Sequence, residues 1–206
     1  RSRAKEINCT SNLKQIGTYM AMYIDMNDGI IPASNRNLSG LSSWSGKWQD
    51  MLMQLYSPGI ELTDYCYVKG YSDGTSMPKG PFACPSSVRW DNTKGTRHYA
   101  INSSGYASST DCVKKAKATR IKRPSARMAI CDIDYPTTGY QDPTVFARDG
   151  LVNAPDGVWR HLNNSGANFG FADGHVEGRS NQAIPADSAA ADGNGYFWAE
   201  TGELWN

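Results

Sequence analysis

Five cysteines, at positions 9, 66, 84, 112 and 131, together with His161, Asp132 and Asp173, are residues of this chain whose types can carry chemistry. Thiols bridge, ligate metals or attack electrophiles, while imidazoles and carboxylates exchange protons or hold cations. An odd number of cysteines leaves at least one unpaired within a monomer. No CxxC pair occurs and only 3 His are present, which gives a structural zinc site little to build on. Two disulfides and one buried thiol are the favoured account. The thiol is then Cys131, which sits inside the apolar run Met128-Ala129-Ile130-Cys131. Five reduced thiols in a cytosolic protein are the alternative.

His161 with Asp173 and Asp132 reads either as a catalytic or metal-binding group or as plain structure. The structural reading is preferred, because Asp173-Gly174 between two extended runs already has a turn explanation. A Ser-His-Asp hydrolase needs an activated serine as well. Paired carboxylates such as Asp132 and Asp134, two apart on a strand and so on one face, are the hydrolase rival, which has no further motif beside it. The expectation is a protein that is not an enzyme.

The elements that must position these residues follow from hydrophobic spacing. Between Ala4 and Met26, apolar Ile7, Leu13, Ile16, Met20, Tyr23 and Ile24 draw one helical stripe, closed by Asn27-Asp28-Gly29 and Pro32. That helix starts with neither Met nor an N-cap, as though cut from a longer one. A second helix is expected over 46–56, and turns with irregular pieces over 63–107. Strands are expected at 127–134, at 158–161, and as a hairpin through Asp173-Gly174. The aromatic tail, with Tyr196, Phe197, Trp198 and Trp205, should pack back on the domain.

A length of 206 residues suits one domain, residues 1–206. Within it, 1–28 is helix, 29–124 helix and loops, 125–182 sheet, and 183–206 tail. The 21 Lys+Arg nearly balance the 20 Asp+Glu, so no global field recruits nucleic acid. No apolar stretch approaches the roughly 18 residues that would span a membrane.

Four islands carry a family resemblance. They are Asn8 to Gly17 with Tyr23 to Pro32; Phe82-Ala83-Cys84-Pro85-Ser86-Ser87; Ile121 to Ser125 with the strand through Asp132; and Arg160-His161 followed by Phe171 to Val176. Together they resemble bacterial prepilin-type proteins with an N-terminal cleavage and methylation segment, whose C-terminal signature is a His followed by Asp-Gly. Here that signature is His161, Asp173 and Gly174, with a connection, residues 162–172, two residues longer than the family's.

The resemblance implies an α+β, pilin-like fold, the long helix packing on an antiparallel sheet built largely after residue 125. It implies a pseudopilin-like structural subunit of a type II secretion or type IV pilus-like assembly, serving protein transport. A missing apolar N-terminal helix would anchor it in the inner membrane, with the domain facing the periplasm or extracellular space. Its partners would be other pseudopilins and secretion components. Cys9 and Cys84 both fall in islands and are paired first, Cys66 with Cys112 second. No cofactor is called for, although the family's Ca²⁺ habit points to the oxygens of Asp187, Asp192 and Asn194. The rival reading is an extracytoplasmic carbohydrate- or ligand-binding module, with Trp44, Trp48, Trp90 and Trp159 lining a cleft.

Overall fold

Helix α1 spans Ser2–Met26 in the computed structural model. Residues 2–32, 48–59, 78, 80–87, 97–102, 117–135, 144–145, 159–185 and 197–198 are described. The buried side of α1 is Cys9, Leu13, Ile16 and Met20, spaced four, three and four, as one helical face requires. Ile7, expected in that stripe, is 60% exposed; Cys9, one turn before Leu13, takes its place. The helix closes on a Schellman turn. Asp28 adopts φ 53° and the Gly29 N–H reaches back to the Ile24 carbonyl at 2.9 Å, satisfying a terminal acceptor.

Helix α2, Trp48–Tyr56, packs against α1 and buries Trp48, Met51 and Leu52. Five strands follow: β1 Arg97–Asn102, β2 Met128–Tyr135, β3 Thr144–Val145, β4 Gly166–Phe171 and β5 Val176–Ser180. They form one sheet in the order β3-β1-β2-β4-β5. Neighbours from β1 to β5 are antiparallel, and two-residue β3 runs parallel to β1. The fold is therefore α+β, with a long helix on a four-stranded antiparallel sheet and a short parallel edge. Strand β1 arises where turns were expected. Its Tyr99, Ala100 and Ile101 are continuously buried, and that run lacks the half-buried alternation that advertises a strand. The strand expected at 158–161 is absent over 159–161, where His161 meets Gly166 in an isolated bridge.

Both faces of the sheet are covered, which is why every residue of β4 is buried. Tyr99, Ile101, Ala129 and Ile130 pack toward α1 and α2, whereas Ala100, Met128, Cys131, Ile133, Ala167 and Phe169 pack on the other side. A register irregularity between Met128 and Ile130 puts consecutive Ala129 and Ile130 on the helix side, as a bulge does. Phe197 and Trp198 close the far face. Phe197 sits 5.6 Å from Phe169, and the Trp198 indole donates to the Pro185 carbonyl at 2.7 Å. Tyr196 and Trp205 lie outside the described residues.

The β4–β5 hairpin turns where Asp173-Gly174 predicts, but only Gly174 has positive φ, at 89°. Gly174 N–H bonds to the Phe171 carbonyl, and Phe171 N–H to that of His175. That is a turn followed by one left-handed glycine, not a two-residue loop with both residues left-handed.

The membrane-anchored expectation is corrected. Among the described residues no helix is long and apolar enough to cross a membrane. Long α1 carries Lys5, Glu6, Asn12, Lys14 and Gln15, whose cost in hydrocarbon forbids a span. No described helix therefore supplies the inner-membrane anchor or the membrane contact expected for the pseudopilin reading.

Candidate functional site

Two features are built around α1: a buried ionic centre beside a disulfide, and a cleft under the hairpin. The centre begins with Asp132. Its neighbours Cys131 and Ile133 face the far side of β2, so its carboxylate points into the helix layer. Arg160 Nη2 lies 2.9 Å from Asp132 Oδ1, and His161 Nε2 lies 3.1 Å from Oδ2. The Asn168 N–H donates to Oδ2 at 2.7 Å. All three groups are buried; the Asp132 side chain is fully so. Burial by itself raises the Asp132 carboxyl pKa. The Arg160 guanidinium, the His161 ring and the Asn168 N–H outweigh it and hold the group below the usual carboxylate value.

Arg160 also organises the backbone around it. It donates to the carbonyls of Ile133 at 3.1 Å and His98 at 2.9 Å, and its Nε to Cys84 Sγ at 3.3 Å. His98 Nδ1 accepts from the Cys84 N–H at 3.0 Å. Cys9 and Cys84 form a disulfide, Cα atoms 5.2 Å apart, tying α1 to the segment after Gly80–Phe82. Cys131 is a free, buried thiol whose pKa is raised by burial and by the Asp132 charge, in spite of Arg160. Cys66 and Cys112 lie outside the described residues.

A left-handed turn presents His161. Leu162, Asn163 and Asn164 have φ of 50°, 58° and 63°, and His161 and Gly166 exchange backbone bonds of 3.0 and 3.1 Å across it. They open the connection from His161 to Asp173. His161 and Asp173 do not form one site. Asp173 bonds His175 Nδ1 at 2.6 Å on the exposed hairpin, and the His175 ring stacks on Phe171 at 4.2 Å. Burial raises the Asp173 carboxyl, and the several His175 interactions together outweigh it and hold the group below its ordinary value.

The cleft lies between α1 and the hairpin. It has a volume of about 440 Å³, and Gly17, Ala21, Ala129, Gly170, Ala172 and Gly174 leave that room beside larger apolar neighbours such as Leu13, Met20 and Phe171. Asp25 and Asp173 are the charged groups in its lining. None of Asp132, Arg160 or His161 reaches it.

Sequence reasoning missed Arg160 as the partner of Asp132, because 28 residues separate them and no motif joins them. It missed the cleft as well, although Gly17, Ala21 and the glycines of the hairpin were visible as small residues. The Gly-x-Ser-x-Gly pattern that a serine hydrolase wants does occur, as Gly70-Tyr71-Ser72-Asp73-Gly74, outside the described residues. Outside them too are the calcium candidates Asp187, Asp192 and Asn194, and Trp44 and Trp90. Trp48 is core, its ring 6.1 Å from that of Phe82, and Trp159 packs behind the sheet.

No family model matches the chain, and no curated protein or solved structure matches it. The secretion-system role, and the pseudopilin and secretion partners expected from the four islands, thus have no relative behind them. No described helix supplies the membrane contact either, and both expectations are withdrawn.

Proposed function

We propose that this chain is an extracytoplasmic ligand-binding module whose cleft between α1 and the β4–β5 hairpin receives a small molecule with an apolar body. The observation that carries this is the cleft itself. Its roughly 440 Å³ falls in the range of about 300–1,000 Å³ that small-molecule sites occupy. The apolar lining favours a hydrocarbon or ring body, and Asp25 and Asp173 at its charged positions favour a cationic or hydroxyl-bearing end. The carbohydrate form of the reading is weaker, since Trp48 is spent in the core. The Cys9–Cys84 disulfide supports an oxidising compartment.

We read the module as non-catalytic. Asp132, Arg160 and His161 bond one another in the interior and stand apart from the cleft. The pilin-like form of the fold is also a proposal. The four sequence islands and a long helix on an antiparallel sheet support it, with no membrane or secretion role attached.

A neutral dye, N-phenyl-1-naphthylamine, tests the binding reading. Its fluorescence should rise saturably with the unaltered protein. Gly17→Leu should weaken that binding by at least about tenfold with an unchanged circular dichroism spectrum. A Cβ at residue 17 meets only Gly174 backbone, at 3.9 Å or more, so the backbone tolerates a side chain there, at a position that lines the cleft. Unsaturable fluorescence, or equal binding by the variant, sinks the proposal.

A further inference from the structure

We propose that Cys9, Cys84 and His161 form a divalent-metal site that opens when the disulfide is reduced, so that this locus alternates between a disulfide and a zinc dithiolate. Cys9 Sγ, Cys84 Sγ and one His161 ring nitrogen all lie within 4.8 Å of one another, and the three residues are buried. Zinc bonds of about 2.3 Å to sulfur and about 2.0–2.1 Å to nitrogen place tetrahedral ligands roughly 3.5–4 Å apart. Cys84 Sγ and His161 Nε2 are 3.9 Å apart already. Separation of the two sulfurs after reduction is the main movement required.

Charge balance selects a divalent ion. With the disulfide intact, the Asp132 carboxylate is matched by the Arg160 guanidinium. Two thiolates in the same buried space add two negative charges, which need compensation there. A Zn²⁺ ion restores neutrality, whereas a monovalent ion leaves one charge over. Arg160 Nε, 3.3 Å from Cys84 Sγ, is placed to donate to a thiolate at that position. His161 is not locked into a complete network. Its Nδ1 is buried with no hydrogen-bond partner among the described residues, so Nε2, between Asp132 and Cys84 Sγ, is the ring nitrogen that is engaged.

The chemistry balances in two steps. A dithiol reductant transfers two electrons and two protons to the Cys9–Cys84 bond and becomes a disulfide itself. Zn²⁺ then displaces one proton from each thiol, and the proton that His161 Nε2 gives to Asp132 Oδ2 moves to Nδ1, which frees Nε2 to bind the ion. The fourth position stays open beside Asp132.

The test uses the full chain with Cys66→Ser and Cys112→Ser, reduced without oxygen by tris(2-carboxyethyl)phosphine, which is oxidised to the phosphine oxide as water supplies oxygen. Titration with Co²⁺ should give one equivalent of tetrahedral thiolate-to-cobalt absorption that Zn²⁺ then removes. The same protein left as the disulfide should give none. His161→Gln should weaken Co²⁺ binding at least about tenfold. Should that variant fail to fold, Zn²⁺ protection of Cys9 and Cys84 from iodoacetamide, read by peptide mapping, replaces it. Absence of the band in reduced protein, equal binding by the disulfide form, unchanged affinity in His161→Gln, or no protection of both thiols overturns the site.

Discussion

Three donors converge on the Asp132 carboxylate, and none is near it in sequence. Removing its charge leaves Arg160 buried without its counter-ion, a loss of about 3–5 kcal/mol for a pair of this kind. Asp132→Asn should show that loss in urea unfolding at neutral pH. The sign with pH follows from the depressed carboxyl. Its contribution is complete above the unfolded value of about 3.9 and is lost as pH falls through the lower folded value. The Asn variant should therefore lose much of the acid limb of the stability profile; an identical limb in both proteins rejects the assignment. The types of these residues were legible in the sequence, but Arg160 as a partner was not. His161 was grouped with both Asp173 and Asp132, and the fold turns Asp173 outward to His175 while it brings His161 to Asp132. A contact across strands depends on register, and register is set by the whole sheet.

Helix α1, helix α2 and the β4–β5 hairpin could be read ahead of the structure, because periodic apolar spacing and Asp-Gly are local signals. Strand β1 could not, since its burial on both faces erases the alternation. The face of α1 was read nearly right, with Ile7 in the place of Cys9. Apolarity alone cannot rank them, and the bridge to Cys84 decides which faces inward. The turn Leu162-Asn163-Asn164 was seen only as extra length. Three successive left-handed residues cost roughly 1–2 kcal/mol each for ordinary side chains, less for asparagine. Asn164→Val should destabilise by about 1–2 kcal/mol or more, and Asn164→Gly by little or nothing, in paired thermal melts. Equal melting temperatures for the two variants would contradict the turn's conformation as the cause.

Across the molecule, the sheet is clad on both sides: by α1 and α2 on one, by Ile184, Phe197 and Trp198 on the other. The aromatic tail was expected to pack back on the domain, and Phe197 and Trp198 do; that they clad the far face of the sheet was not legible, because the tail has no periodic pattern. The disulfide between Cys9 and Cys84 joins positions 75 residues apart. That bond also fixes how the chain would carry load. Tension applied at its two ends enters the first turns of α1 and crosses to Cys84 through sulfur, bypassing everything between. The bypassed segment contains α2 and the Leu13, Gly17, Met20 and Ile24 side of the cleft, which stay slack while the strands bear the pull. Stretched singly by optical tweezers, the oxidised chain should extend about 250 Å less than the reduced one, at about 3.3–3.6 Å per residue. Equal contour lengths would mean that the bridge does not carry the force.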